Sequence, residues 1–165
     1  MKIRTILTAA ALAAIVVAPA SVKAASDSAS ASATIAAAVT VTKVSDLEFG
    51  LISPTGTAGT VTVSDAGVRS GDANVVLQAG DTPSQASFNV AGAASQAITV
   101  TIPSTAVLTG SGTDMTATLS QAEAGAQTLD GSGAFTVDVG ATLAVGANQG
   151  AGAYTGSFNV TVVYD

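Results

Sequence analysis

The sequence predicts an all-β domain, and an immunoglobulin-like antiparallel β-sandwich is the most economical architecture for it. Charged residues make up only 10% of the chain. Apolar residues alternate with polar ones over short runs instead of recurring every three or four positions, which is the pattern of strands and not of helices. All seventeen glycines lie at or beyond Gly50, between the apolar runs, where turns are expected.

The predicted strands follow one another at the spacing of a sandwich, and about nine or ten of them fit the chain. Glycine, proline and aspartate separate them, as at Ser53–Gly56 and Gly80–Pro83. Gln121–Gln127 is predicted to form at most one or two helical turns. The predicted strands contain, in order, Leu47/Phe49/Leu51, Thr60–Val63, Val75–Leu77, Ala86/Phe88/Val90, Ile98/Val100/Ile102, Met115/Ala117/Leu119, Phe135/Val137/Val139, Thr142–Val145 and Ser157–Asp165.

The last of these strands has the most regular pattern. Phe158, Val160, Val162 and Tyr164 share one face of an extended segment, and these residues are β-branched or aromatic. We therefore predict that all four are core residues.

A long alternation precedes the first of these strands. From Ser28 to Thr42, Ala, Ile and Val occupy one parity and Ser and Thr occupy most of the other, over about 50 Å if fully extended. One interpretation is a linker that leads into a first strand at about Ile35. The other is an extension that adds a strand to another molecule. We divide the chain into a leader (1–24), an Ala/Ser-rich extension (25–36) and a sandwich domain (37–165).

The first residues have the three regions of a secretory signal peptide. Met1–Thr5 is basic, Ile6–Ala20 is apolar, and Val22-Lys23-Ala24 precedes cleavage after Ala24 or Ala25. A membrane anchor is the alternative, but the apolar run is short and Pro19 interrupts it. We predict an exported protein, periplasmic or at the cell surface, with no membrane span after cleavage.

The composition leaves little chemistry for catalysis. The chain has no His and no Cys, so imidazole bases, thiol nucleophiles and imidazole metal ligands are missing. Asp130 and Asp138 could form a catalytic carboxylate pair. However, Asp130 lies in the turn Leu129-Asp130-Gly131, and an Asx-type turn explains why an aspartate is there. We predict no catalytic residues, no cofactor and no metal. Beyond the leader, eleven acidic residues oppose Lys43 and Arg69, which argues against nucleic-acid binding.

An ordered series of motifs resembles the bacterial family catalogued as domain of unknown function 4402, a family of exported β-domains. The resemblance spans about Ala36 to Asp165. Its motifs are Leu47–Ile52, Gly59–Val63, Gly67–Ser70, Ser87–Gly92, Leu129–Gly131, Val139–Leu143 and Gly152–Phe158.

A looser resemblance is to subunits of chaperone–usher pili, including the spore-coat-like archaic type. Tyr164 is penultimate and Gly152 lies about a dozen residues before it, as in those subunits. The resemblance implies an incomplete sandwich that is completed by strand addition, self-association into filaments, a periplasmic chaperone and an outer-membrane usher. The interface residues it implies are Ala29, Ala31, Ala33, Ile35, Gly152, Phe158, Val160, Val162 and Tyr164. An Ala methyl contributes only about 0.8 kcal/mol on burial, so backbone pairing would have to dominate.

Two other functions fit the same sequence. One is a self-complete secreted or cell-surface sandwich, part of a coat or matrix, that does not polymerise. The other is a ligand-binding module that uses the Gly146–Gly156 loop, where Tyr154 is the aromatic candidate for stacking on a sugar.

Overall fold

The computed structural model describes residues 23–165, so nearly all of the predicted signal peptide lies outside the described residues. Residues 35–165 form one compact unit that contains every strand. Residues 23–34 belong to a separate unit, and their described side chains are exposed and form no strand. No helix occurs in residues 23–165, and hence none that could cross a membrane. The predicted all-β class is confirmed.

Fourteen strands lie in the described part of the chain, most of them short because turns interrupt the alternating runs. They are β1 (Thr40–Ser45), β2 (Ile52–Pro54), β3 (Gly59–Val63), β4 (Arg69–Gly71), β5 (Val75–Leu77), β6 (Ala86–Ala91), β7 (Ala97–Thr101), β8 (Thr105–Gly110), β9 (Met115–Leu119), β10 (Gly125–Thr128), β11 (Ala134–Val139), β12 (Ala141–Val145), β13 (Tyr154–Thr155) and β14 (Thr161–Tyr164).

All strand pairs in residues 23–165 are antiparallel, and they form a β-sandwich with one shared core. The largest sheet has the order β13-β8-β9-β12-β3-β4. Two three-stranded sheets have the orders β1-β6-β11 and β10-β7-β14, and β2 pairs with β5.

One interrupted strand pair runs through both three-stranded sheets, as β6 with β11 in the first and as β7 with β10 in the second. Ala134 pairs with Ala91 in one half and Thr128 pairs with Ala97 in the other, so both strands advance by the same number of residues between these pairs. Backbone bonds from Gly92 N to Gly133 O (2.8 Å) and from Leu129 N to Gln96 O (2.9 Å) continue the same register. We call the segment Ala86–Thr101 the central segment. On one of its two sides, it therefore has the same neighbour, residues 125–139, in both halves.

The central segment bends sharply at its interruption. The rings of Phe88 and Phe158 lie 6.2 Å apart, edge to face. Phe158 comes shortly before Thr161, which pairs with Thr101 at the far end of the central segment. A straight strand from Phe88 to Thr101 would be about 43 Å long, so the two halves must fold towards each other at residues 92–96.

The core confirms the predicted alternation over most of the chain. Val90, Ile98 and Val100 of the central segment are at most 1% exposed and face the interior. They are joined by apolar residues at alternate positions of the neighbouring strands, including Val61, Val63, Ala117, Leu119, Val137, Val139, Leu143 and Val162. No side-chain polar atom is buried without a hydrogen bond in the described residues.

Several predicted boundaries are wrong. The strand predicted at Leu47–Leu51 does not form, and Glu48 makes only an isolated bridge there. Gly50 has a positive φ of 72° and turns the chain, so the next strand, β2, begins at Ile52. Residues 125–128 are strand β10 instead of helix, because the central segment supplies a hydrogen-bonding partner. The first strand begins at Thr40 and not at about Ile35, and the last covers only Thr161–Tyr164.

Candidate functional site: the sheet edge formed by β1 and β14

The first and last strands lie on the same side of the central segment. Its other side is taken by β11 and β10, so β1 and β14 occupy the remaining side of its two halves. Thr161 pairs with Thr101 and Tyr164 with Ile98, while Thr40 pairs with Ala91. Both strands run antiparallel to the central segment and hence in the same sense along it, on either side of its bend. Together they form one sheet edge, which we call the β1/β14 edge.

The two parts of this edge are in phase. The bonds of Gly92 and Gln96 show that even-numbered residues in both halves of the central segment bond to the β10–β11 side. Ser95, inside the interruption, departs from this pattern, because its φ is 56° and its N–H donates to the carbonyl of Asp130 (2.9 Å). Its odd-numbered residues therefore bond to β1 and β14, as the bond from Asp165 N to Ala97 O confirms. The backbone groups that point away from the sheet then belong to Val41, Lys43, Val162 and Tyr164. None of these groups has a hydrogen-bond partner within residues 35–165.

These four residues also share a face. Val41 lies opposite Val90 and Val162 lies opposite Val100, and directly opposite residues project from the same side of a sheet. Val90 and Val100 are each 1% exposed, whereas Val41 is 37% exposed. The inner face of the sandwich is therefore less completely covered at β1 than in the middle of the sheet.

Tyr164 joins the two parts of the edge. Its hydroxyl donates a hydrogen bond to the carbonyl of Ala37 (2.8 Å), just before β1. The same oxygen accepts a hydrogen bond from the backbone N–H of Ala93 (2.7 Å), in the interruption of the central segment. A Cβ at Gly92 would collide with this hydroxyl and with the Cδ1 of Leu129. The tyrosine thus occupies space that only glycine leaves free.

The turn opposite this tyrosine is held by Asp130. Its Oδ1 accepts hydrogen bonds from the N–H groups of Ser132 (2.8 Å) and Ala134 (2.9 Å) and from the Ser132 hydroxyl (2.7 Å). These bonds, chiefly that from Ala134, lower the pKa of the Asp130 carboxyl. The predicted Asx-type turn is present, and it fixes residues 129–133 beside the interruption.

The predicted interface residues of the last strand lie partly at this edge. Val162 and Tyr164 belong to it, and Val162 is the one buried core residue of the predicted four. Phe158 and Val160 precede β14, are half-buried and pack against the core. Gly152 lies elsewhere: its φ is 144°, and it contacts Ser111 in the loop after β8.

The predicted interface residues of the extension form no strand in the described part of the chain. Ala29, Ala31 and Ala33 are exposed. Ile35, at the start of the compact unit, is 94% exposed. The structure contains one copy of the chain, so the pairing of these residues with a second copy stays a prediction.

Four further residues belong to this site and were not predicted from the sequence: Ala37, Val41, Lys43 and Ala93. The parity of Val41 in the long alternation was a usable signal, because it continues the series that starts at Ala29. Ala37 and Ala93 contact the Tyr164 hydroxyl through their backbone atoms. A pattern of side chains in the sequence therefore does not predict these contacts.

The family profile described as Domain of unknown function (DUF4402) matches residues 39–164, from just before β1 to the last residue of β14. The chain belongs to this family. No curated protein and no solved structure gave a match in the corresponding comparisons. The matched region of the DUF4402 domain contains both strands of the edge and omits the extension.

In the loop considered for sugar binding, the side chain of Tyr154 contacts other residues of the domain. The Tyr154 hydroxyl donates to the carbonyl of Gly150 (2.8 Å) and accepts from the side-chain amide of Gln149 (2.9 Å). Its ring also packs against Gly110. Tyr154 is half-buried and closes the Gly-rich loop of the DUF4402 domain on itself.

Arg69 has a similar internal role. Its guanidinium donates to the carbonyls of Phe49 (3.0 Å), Leu51 (3.4 Å) and Gln78 (2.8 Å). It therefore fixes the irregular segment before β2 to the end of β5.

Proposed function

We propose that this protein is a structural subunit of a surface fibre and that its copies assemble by strand addition. The Ala/Ser-rich extension of one copy (25–36) pairs with the β1/β14 edge of the next. The sandwich is of immunoglobulin-like kind and lacks one strand at that edge. The protein is exported before it assembles, and a periplasmic chaperone and an outer-membrane usher are its expected partners.

The observation that carries the proposal is the phase of the β1/β14 edge. The free N–H and C=O groups of Val41, Lys43, Val162 and Tyr164 point outward from the edge, and their side chains lie on the same face. Both β1 and β14 run in the same sense along the central segment. A single alternating strand therefore matches both parts of the edge. Unpaired edges of this kind are templates for strands of other chains.

The length of the extension supports the same proposal. Twelve residues, 25–36, span about 40 Å when extended. The edge from Lys43 to Val162 follows the central segment from Phe88 to Val100. This path is at most about 40 Å long, because residues 93–95 form a bend and a turn instead of continuing the strand. The central segment bends between these points, and the small methyl groups of Ala29, Ala31 and Ala33 suit a strand that follows the bend.

Head-to-tail addition is heterologous, because the extension of one copy occupies a different surface on the next copy. Such contacts do not close on themselves and give filaments. Each added strand contributes mainly backbone hydrogen bonds, since alanine methyls bury little area.

The test compares the chain from Ala25 with a chain from Ala37, which keeps the carbonyl that Tyr164 binds. We expect filaments from the longer chain by electron microscopy and none from the shorter one. A synthetic peptide of residues 25–36 is expected to raise the Tm of the shorter chain, and a peptide with the same residues in scrambled order serves as control. Equal polymerisation of both chains would contradict the proposal.

A monomer at all concentrations, with no response to the peptide, would favour the self-complete sandwich instead.

A further inference from the structure

We infer that the outer face of the six-stranded sheet is a second contact surface, by which a subunit of one filament packs on the same face of a subunit in a neighbouring filament. We call the solvent-facing side chains of β3, β8, β9 and β12 the threonine face. The inference rests on the proposed function for the filament itself. It adds an interaction between filaments, at a surface distinct from the β1/β14 edge.

The threonine face consists of two rows of side chains that cross the four strands. Directly opposite residues project from the same side of a sheet, and the residues between them in each strand point into the core. A second row lies two residues along each strand and includes Thr60, Thr116 and Val107, which is 50% exposed. The first row consists of Thr62, Thr142, Thr118 and Thr105.

The threonine face carries no charge, although the chain is strongly acidic. Residues 25–165 contain eleven acidic and two basic residues, which gives a net charge of −9. The described strands β3, β8, β9 and β12 contain no Asp, Glu, Lys or Arg. On the other side of the sandwich, Asp138 alternates with buried Val137 and Val139 and therefore projects outward. Like charges repel two copies elsewhere, so the copies approach each other at least cost through the threonine face.

The composition of the threonine face also lowers the cost of removing it from water. The hydroxyls of Thr62 and Thr142 are hydrogen-bonded to each other at 2.9 Å. A hydroxyl that already has a partner loses less when water leaves. The threonine methyl groups, together with Val107 and Ala144, supply apolar area for the contact.

The size of the threonine face indicates that its partner is a filament and not a free subunit. Four strands of about five residues cover roughly 300 Å². A stable interface needs about 800 Å² from each partner, so one such contact does not hold two free subunits together. A filament presents the face once per subunit, and contacts that repeat along two filaments act together.

Charge substitution in the chain from Ala25 tests the inference. T116E/T118E adds two carboxylates at exposed positions of β9, and T128E/T136E adds them at exposed positions of β10 and β11 as the matched control. We expect electron micrographs of the original chain to show bundled filaments. The bundled fraction should fall about tenfold or more in T116E/T118E, because each repeated contact would bury unpaired carboxylates. It should change by less than about threefold in the control, whose new charges lie outside the contact.

A lysine variant identifies the surface on which the threonine face packs. If the face packs on itself, T116K/T118K filaments repel one another and stay single, whereas a mixture with T116E/T118E filaments forms bundles. Stronger bundling of the lysine variant alone would place the face against an acidic surface of the next copy and overturn the inference. Equal urea midpoints of all variants confirm that the substitutions leave the fold intact.

The outcomes separate this inference from the proposed function. Single filaments of the original chain, or equal bundling of T116E/T118E and the original, would overturn the inference and leave strand addition standing. If the chain from Ala25 forms no filaments, the proposed function fails, and beads densely coated with the chain from Ala37 take the place of the filaments. Agglutination that T116E/T118E abolishes would then support the self-association of this face, and the absence of agglutination would overturn it.

Discussion

The hydroxyl of Tyr164 lies 2.8 Å from the carbonyl oxygen of Ala37, a residue 127 positions earlier in the chain. The same hydroxyl lies 2.7 Å from the amide nitrogen of Ala93. One side chain therefore ties the approach to β1, the end of β14 and the interruption of the central segment to one another. The stability of the β1/β14 edge should depend on this oxygen atom.

Replacing Tyr164 by Phe removes both hydrogen bonds and keeps the ring. We expect the free energy of unfolding to fall by about 1–3 kcal/mol, because the Ala93 N–H is partly buried and loses its partner. Urea denaturation measures this change. Faster hydrogen exchange at the Ala93 amide is also expected, and unchanged exchange there would show that the hydroxyl does not hold the interruption.

Gly92 provides the space for the same hydroxyl. In Gly92→Ala, the new methyl group would collide with the Tyr164 hydroxyl and stand 2.9 Å from Leu129 Cδ1. We expect a loss of about 1–3 kcal/mol in unfolding free energy, the range for overpacking. Gly56→Ala is the matched control, because a Cβ at Gly56 meets no atom within 4 Å. Adding Tyr164→Phe to Gly92→Ala should relieve part of the loss, and strict additivity of the two losses would contradict this steric account.

Acid should weaken the fold through Asp130 and Asp72. Hydrogen bonds, from Ala134 to Asp130 and from Asn74 to Asp72 first of all, hold the pKa of each carboxyl below its ordinary value. Each folded-state pKa is thus lower than the unfolded one. The stabilisation is present above the unfolded pKa of about 3.8 and is lost as the pH falls through the folded value.

The measurement is the urea midpoint between about pH 6 and pH 2. Asp130→Asn should flatten the part of the curve below about pH 4, since the amide does not titrate. The same substitution at exposed Asp114 is the control. If both variants keep the slope of the original chain, Asp130 does not contribute to the acid dependence.

Val41 and Thr42 are adjacent in β1 and differ in the direction of their N–H groups. The N–H of Val41 points away from the sheet, so Val41→Pro should leave the folded unit intact and prevent assembly. Thr42 pairs with Asn89 through its N–H, so Thr42→Pro should lower the unfolding free energy by about 1–3 kcal/mol. Denaturation combined with electron microscopy separates the two effects. Filaments from the Val41→Pro chain would exclude β1 from the interface.

The sequence predicted the strands whose two faces differ in polarity. Val61 and Val63, or Met115, Ala117 and Leu119, are buried at alternate positions, as their period requires. It failed where backbone bonding decides the structure. Gly125–Thr128 has no apolar alternation, and it is a strand because β7 offers it a hydrogen-bonding partner.

The candidate site was predictable to a similar extent. The parity of Val162 and Tyr164 placed them on the core face of the last strand, and the structure has them there. The position of β1 on the same side of the central segment is a long-range relationship between sheet neighbours, and local sequence contains no signal for it. Gly152 was assigned to the interface by its spacing from Tyr164, but its contact is with Ser111.

The central segment is hydrogen-bonded on both sides, whereas β1 and β14 are each held from one side. Local opening therefore costs less free energy at β1 and β14 than at β6 and β7, where a strand must break two ladders to detach. Because β10 and β11 are edge strands as well, the most readily exchanging amides of these two sheets should lie in these four strands. A second copy that pairs at the β1/β14 edge would protect two of them, so assembly and local stabilisation would be one event.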